Sequence, residues 1–334
     1  LPSNLLSLEV SKSVSNYYHN ILEKLFFEVL NTPFDERSKE FKQKPYIDVP
    51  FLNGGLFNPH SDDFYEIDKS GVSQHINTLK VPDKWLQEFI EILEIYNFTV
   101  DENTSVDIDL SVDPEMLGRI FENLLAEINP ETGDTARKAT GSYYTPRPIV
   151  EYMVDESLKQ FLITETAIDE NKITDLLSYG DGEVDLAENE KEKVVDAFDK
   201  VKILDPACGS GAFPIGILQK MLLVLKRVDP NSQLWLNKQL DRVPTSALRS
   251  ELKRKLEYEN VEYVHKLGII QNSIYGVDIQ PIAAEISKLR CFLSLIVDEK
   301  VYDDKDNRGI LPLPNLEFKF VAANSLISLP KSSS

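Results

Sequence analysis

The chain has 334 residues, is 42% hydrophobic and 9% aromatic, and carries a formal net charge of −19. The length suits one large domain or two ordinary ones, and the apolar content excludes a disordered acidic tail. The charge argues against this piece alone gripping duplex DNA, because phosphate neutralisation drives such binding. Two cysteines and four histidines give no disulfide framework and no zinc pattern, so a metal site is not expected and a reducing cytoplasm fits.

The chain opens on Leu1 and ends in "LPKSSS". Both ends read as cuts in a larger protein. Residues 14–30 place apolar side chains at helical spacing and predict an amphipathic helix. The stretch "PYIDVPFLNGGLFNP" predicts a packed loop with a short strand. Helices are expected from Asp83 to Asn97 and after Asp113 and Pro114, the latter with Met116, Leu117, Ile120, Leu124 and Leu125 on its apolar face. A further helix is expected from Ile149, with Thr145 able to cap it. Between Glu165 and Asp199, twelve acids against three bases predict a solvated helix or loop region.

Strand character returns at residues 200–206, "KVKILDP", followed by a helix from Ala212 to Leu225. A long polar, helical insertion covers about residues 227–271. A strand is expected at "SIYGVDI" (273–279), then a helix through "PIAAEISKLRCFLSLIVD", then a strand-like stretch at 316–327, "LEFKFVAANSLI". Strand–helix alternation of this kind predicts a parallel α/β sheet.

"LDPACGSGAF" (Leu204 to Phe213) carries the first chemical signal. A strand ends at Asp205, and Gly209 and Gly211 permit a tight turn and close approach of a ligand to the next helix N-terminus. The third glycine of a dinucleotide turn is out of register, and the lysine of a P-loop is missing. An acid at the strand end repels a pyrophosphate and suits an ammonium. A ligand with an amino-acid end and a nucleoside end fits both facts, and S-adenosylmethionine is such a ligand. A plain strand-to-helix turn is the competing reading.

A second strand ends at Asp278. In nucleotide-binding sheets an acid there accepts hydrogen bonds from ribose hydroxyls, although the 67 residues after Gly211 exceed the roughly 20 expected, and the helical insertion absorbs the difference. A helix N-cap is the competing role for Asp278. Asn324 follows the third strand, where its amide could meet an adenine edge or simply make a turn. "KATGSYYTPRPIVEYMV" (138–154) supplies two tyrosines ahead of a proline-stiffened loop.

Together these pieces resemble the N6-adenine DNA methyltransferases of the gamma arrangement, and more narrowly the large type IIG restriction–modification proteins and related phage-defence methyltransferases. "GSYYTP" resembles the motif that covers the methionine end of the cofactor, "LDPACGSGAF" the cofactor signature, "YGVDIQPIAAEISKLR" the ribose-binding strand and helix, and "FVAANSLI" the adenine-side strand. "PFLNGGLF" and "DPEMLGRIFENLL" resemble the helical segment ahead of such cores.

The resemblance implies a Rossmann-like α/β methyltransferase fold, its first strands at 136–334, preceded by a mainly helical region at 1–135. It implies S-adenosylmethionine as cofactor. Asp205, with Pro206, Ala207, Cys208, Gly209, Ser210 and Gly211, would receive the methionine end, and Tyr144, Thr145 and Pro146 would cover it. Asp278 would hold the ribose and Ile279 lie against the adenine. Asn324 and Ser325 would touch the adenine edge, with Phe213 packed nearby. Double-stranded DNA is the implied partner of the full-length protein, through regions largely outside this chain. A membrane is not, and the oligomeric state is open.

The family's catalytic Asn-Pro-Pro-Tyr tetrapeptide would follow the third strand, and the chain reaches Ser334 without it. "PLPNLEF" lies upstream in the wrong order, so no catalytic residue is assigned. Nor does "YIDVP" begin a nuclease pattern. The competing functions are a methyltransferase acting on protein, RNA or a small molecule, and a non-catalytic scaffold or DNA-binding subunit.

Overall fold

The computed structural model describes residues 5–52, 55–59, 80–95, 97–98, 111–112, 118, 120, 145–179, 185–241, 261–296, 301–302, 306–310 and 312–327. The chain divides into two compact units, Leu1–Asp113 with Lys300–Asn315, and Pro114–Glu299 with Leu316–Ser334.

The first unit starts with helix α1 (Leu8–Ser13), capped by the Ser7 hydroxyl, which accepts from Val10 N–H. The expected helix over 14–30 is helical from Tyr18, but in π-helical pieces at Tyr18–Leu22 and Lys24–Leu30. Leu25, Val29 and Leu30 bury with Leu5, Phe41, Tyr46 and Val49. The strand expected in "PYIDVPFLNGGLFNP" is not among the described residues of that stretch, which turn instead. Leu52 N–H donates to Leu30 O, and Leu313 N–H to Leu52 O, so the loop ties the helix to the 312–313 segment.

Helix α2 (Asp83–Ile95) ends two residues before the expected Asn97, which opens the parallel pair β1 (Asn97–Phe98) and β2 (Ser111–Val112). Asp83 accepts the N–H groups of Asn16 and Tyr17. The helix buries Ile90 and exposes Trp85, Phe89, Ile92, Leu93 and Ile95. Of the helix expected after Asp113, only Gly118 and Ile120 are described; Met116, Leu117, Leu124 and Leu125 lie outside the described residues.

The second unit is mainly helical around a small parallel sheet. Helix α3 (Arg147–Thr166) starts two residues before Ile149. Its N-cap is Pro146, with no side-chain cap, so Thr145 does not cap it. The acid-rich segment, expected as a solvated helix or loop region, is mainly helical in its described residues. It forms α4 (Glu170–Leu177) and α5 (Glu188–Lys200), which bury Ile173, Leu176, Leu177, Val194, Val195 and Phe198. Several of its acids serve the caps and ion pairs, while Asp199 is buried. Asp169 accepts from Asn171 N–H, and Glu190 from Ala187 N–H and the Lys172 ammonium.

Strand β3 (Ile203–Asp205) is shorter than the expected 200–206, because α5 runs to Lys200 and Val201 is its C-cap. Helix α6 (Ala212–Val228) follows and buries eight large apolar side chains, Ile215, Ile217, Leu218, Met221, Leu222, Val224, Leu225 and Val228. Each contributes roughly 1.5–3 kcal/mol of transfer free energy, which makes α6 the central post of the unit. It packs on α3, α4 and α5.

The expected insertion contains α7 (Gln233–Asp241) and α8 (Val261–Asn272). Neither is a surface appendage. Trp235 and His265 are fully buried and pack edge to face at 5.9 Å, and Ser232 Oγ lies 2.6 Å from His265 Nε2. Burial lowers the His265 pKa to about 4, so the ring is neutral in the core.

Strand β4 (Ile274–Asp278) pairs in parallel with β3 and with β5 (Phe320–Ala322), giving the order β3-β4-β5, and helix α9 (Pro281–Ile296) connects the last two. The fold is thus mainly helical with α/β character and a three-stranded parallel sheet. The expected strand over 316–327 is cut at both ends. Lys319 and Phe320 N–H groups turn back onto Leu316 O, and Leu326 N–H donates to Asn324 Oδ1. One sheet face carries Ile274, Gly276 and Phe320, all buried; Leu204 and Val321, on the alternate positions, are 61% and 39% exposed.

Among the described residues no helix is long and apolar enough to cross a membrane.

Candidate functional site

Parallel pairing puts the carboxyl ends of the three strands at one edge, where ligands of open α/β sheets bind. Asp205 pairs with Gly276, and Asp278 lies two residues further along the same face of β4. Asp205 and Asp278 therefore come together from positions 73 residues apart in sequence. The turn after β3 folds over the end of β4: Cys208 N–H donates to Val277 O at 2.9 Å, and Gly209 N–H to Asp278 Oδ2 at 2.8 Å.

The turn needs its glycines. Gly209 and Gly211 have φ values of 53° and 88°, a region costly for other residues. A Cβ on Gly211 would lie 2.9 Å from Ser287 Oγ, so the close approach of α9 forbids one as well. Gly211 is the N-cap of α6, and its N–H donates to Cys208 O at 2.8 Å.

Asp205 accepts Ala207 N–H on Oδ1 at 3.0 Å, while its buried Oδ2 has no hydrogen-bond partner. Burial raises its pKa, the Ala207 bond offsets part of that, and the negative charge of Asp278 adds to the rise. An acid raised this way, with one oxygen unused beside a second carboxylate, favours a cation. Asp278 also accepts Gln280 N–H on Oδ1 at 2.9 Å, so it caps the approach to α9 while facing the turn. The two roles weighed for Asp278 are not exclusive, since a carboxylate oxygen can accept more than one hydrogen bond.

Cys208 is buried and points inward. Burial, with the charge of Asp205 behind it, pushes its thiol up to about 12. It is no nucleophile at neutral pH. Ser210 is buried, and Pro206 and Ala207 are exposed at the tip of the turn. Phe213 is half-buried on the first turn of α6. Ile279 is 62% exposed just past the end of β4.

The adenine-side positions are reached by β5. Ala323 N–H donates to Asp278 O at 2.8 Å, which brings the end of β5 beside that of β4. Asn324 and Ser325 are exposed, and Asn324 Oδ1 is used by Leu326 N–H at 3.0 Å. Asn324 makes the turn that was its competing role, which leaves its amide nitrogen to act on a ligand. Thr145 and Pro146 precede α3, and Tyr144 lies outside the described residues.

Two residues that the motifs did not single out close the site from below. Ser287 Oγ donates to Gly209 O at 3.0 Å, and Arg290 Nη1 to Ser210 O at 2.8 Å. They close the string "YGVDIQPIAAEISKLR", three residues apart on one helix, which sets two side chains on one face.

Fold and site define an α/β protein with a glycine turn and paired acids on the carboxyl edge of a parallel sheet. Residues 7–109, within the first unit, match a family described as a domain of unknown function, DUF7814. The chain is also similar to a protein of Methanocaldococcus jannaschii named as a candidate type II restriction enzyme and methyltransferase, with 33% identity over 330 residues. The alignment covers 95% of this chain and 24% of the relative. The chain is thus related to one region of a much longer protein.

Proposed function

We propose that the chain is the cofactor-binding part of an S-adenosylmethionine-dependent DNA methyltransferase acting on adenine N6, within a type IIG restriction–modification protein. The observation that carries the reading is the meeting of the glycine turn, Asp205 and Asp278 at one sheet edge, joined by the Gly209–Asp278 hydrogen bond. The likeness to the Methanocaldococcus jannaschii protein supports the restriction–modification setting. The remaining strands of a Rossmann-like sheet belong to the same proposal.

The site suits this cofactor chemically. The unpartnered Oδ2 of Asp205 is the acceptor an amino-acid ammonium needs. Asp278 would accept from the ribose hydroxyls, the exposed Ile279 would lie against the adenine ring, and the amide nitrogen of Asn324 would donate to its edge. Tyr144, Thr145 and Pro146 would cover the methionine end. The cofactor supplies an activated methyl on a sulfonium.

These residues bind and orient, and they shield the reacting end from water. Orientation of this kind removes much of the entropic barrier to a bimolecular transfer. The target amine is unreachable inside a stacked duplex, so the base would be flipped out. With a charge of −19 on this chain, the phosphate-gripping surface would belong to other regions of the full-length protein.

Calorimetry of the full-length protein with S-adenosylmethionine tests the reading, with Asp278→Ala as control. Heat of binding in the wild type and none in the variant is the expected result. No heat in the wild type sinks it and favours a scaffold that keeps the fold. Methyl transfer to an adenine-containing duplex, and not to protein, RNA or small molecules, separates the DNA reading from the other methyltransferases.

A further inference from the structure

A glycine turn gains tightness at the expense of definition. Peptide planes flanked by glycine flip easily, because both signs of φ are open to them. In this chain Gly209 and Gly211 flank the Ser210 unit, both at positive φ. A flip of either plane would turn a carbonyl oxygen away from Ser287 or Arg290 and break its hydrogen bond there. The bond from Gly211 N–H to Cys208 O holds the second plane in part from within the turn, but the two carbonyls find their partners outside it.

We propose that Ser287 and Arg290, one turn apart on α9, are positioning residues that lock the two peptide planes of the cofactor turn. Each takes one carbonyl: Ser287 Oγ that of Gly209 at 3.0 Å, Arg290 Nη1 that of Ser210 at 2.8 Å. On the opposite side the Gly209 N–H is fixed by Asp278. The Gly209 unit is thus gripped at both its polar ends, by the strand and the helix of the same β4–α9 unit. The acid assigned to the ribose and the turn assigned to the methionine end move as one piece.

The placement of Arg290 argues for this use. It is 2% exposed in the core of its unit. A guanidinium is costly to bury, and a Leu or Met would fill the same space without that cost. The backbone leaves room for the charge: a Cβ on Gly118 would fall 2.8 Å from Arg290 Nη1 and 3.2 Å from Ser210 Oγ. Gly118 therefore lies directly on the lock.

The inference rests on the cofactor reading for its purpose, but not for its geometry, so two measurements separate the failures. The first is amide hydrogen exchange of the ligand-free, full-length protein. Arg290→Met should speed exchange over residues 206–213 by about tenfold, the worth of one hydrogen bond to a charged donor, while α3 to α6 beyond residue 215 stay at wild-type rates. Arg290→Lys should recover part of the protection, and Ser287→Ala should give a smaller rise in the same segment. Unchanged exchange over 206–213, or an increase spread evenly through the unit, overturns the lock. The second is the dissociation constant for S-adenosylmethionine by calorimetry. Arg290→Met should weaken binding about tenfold with the heat of binding kept in sign, and Gly118→Ala should weaken it in the same direction. Wild-type affinity in Arg290→Met at unchanged melting temperature also overturns the proposal. A wild type that binds no S-adenosylmethionine defeats the cofactor reading, and the exchange experiment still decides whether the turn is locked.

Discussion

The two ends of the candidate site are built differently. At the β3–β4 end the backbone is fixed from several directions: Cys208 N–H on Val277 O, Gly209 N–H on Asp278, and the Gly209 and Ser210 carbonyls on α9. At the β5 end, Ala323 N–H holds the strand to Asp278 O, and beyond it Leu326 is 92% exposed and Asn324 is committed to its own turn. Binding is strongest where groups are held in place before the ligand arrives, since ordering them on binding costs affinity. On the proposed cofactor assignment, the methionine and ribose ends should therefore dominate affinity, with the adenine edge adding little.

The largest effect is expected of Asp278→Ala. It removes the acceptor assigned to the ribose and also unties Gly209 N–H, so both parts of the fixed end suffer. S-adenosylmethionine binding should fall by roughly 100-fold or more, the worth of two hydrogen bonds to a charged group. Asp278→Asn retains one acceptor oxygen and should lose less. Calorimetry checks both, and an Asp278→Ala variant within about threefold of wild type would mean that the turn stands without its strand.

Asp205 comes next and carries a sign that distinguishes function from stability. Burial and the charge of Asp278 raise its pKa in the folded protein above its unfolded value. Its neutral form therefore favours folding. That contribution is complete below the unfolded pKa and is lost as pH rises through the folded value, so at neutral pH the ionised acid costs stability. Asp205→Asn keeps the acceptor for Ala207 N–H and removes the charge, so the ligand-free protein should melt a few degrees higher, about 2 °C. The same variant should bind S-adenosylmethionine about 30-fold more weakly, because its partner for the ammonium is gone. In the wild type, affinity should drop as pH falls through the raised pKa, and Asp205→Asn should flatten that dependence. A variant that melts lower, or one whose pH profile is unchanged, would place the ligand's cation elsewhere.

How much of this was legible from residue order follows from the range of each interaction. Asp205, Gly209, Gly211 and Asp278 could be read because punctuation is local: an apolar run that meets an acid, a proline and two glycines marks a strand end wherever it sits. Strand lengths could not. β3 lost residues to the helix ahead of it, and β5 to turns on both sides, one made by Asn324 itself. The acid-rich stretch between Glu165 and Asp199 was open to a helix, but its charge count hid the apolar face that the two helices bury. Ser287 and Arg290 lie in the helix that the resemblance marked, but their own roles could not be read from it, because their partners lie 78 and 80 residues away. The tie between Gly209 and Asp278 spans 69 residues and is likewise a product of the sheet register.

Between the two ends sits Ile279, anchored at the end of β4 but 62% exposed. Covering such a side chain with a flat base would contribute about 1 kcal/mol. Ile279→Ser should therefore weaken S-adenosylmethionine about fivefold and should weaken a ligand lacking the base hardly at all. Equal losses for both ligands would show that Ile279 acts by holding β4 rather than by touching the adenine.

Asn324 is the smallest expected effect and the best test of the loose end. Its Oδ1 already accepts Leu326 N–H at 3.0 Å, so only the amide nitrogen is left to donate to an adenine edge. Ala removes both the turn bond and the donor, whereas Asp keeps an acceptor for Leu326 and removes only the donor. If the adenine contact matters, both variants should lose about threefold, near the worth of one neutral hydrogen bond at an exposed site. If the turn matters instead, Asn324→Asp should bind like the wild type and Asn324→Ala should not. A loss beyond about 30-fold in either variant would reverse the ranking of the two ends, because an exposed amide on a turn would then rival the preorganised acids.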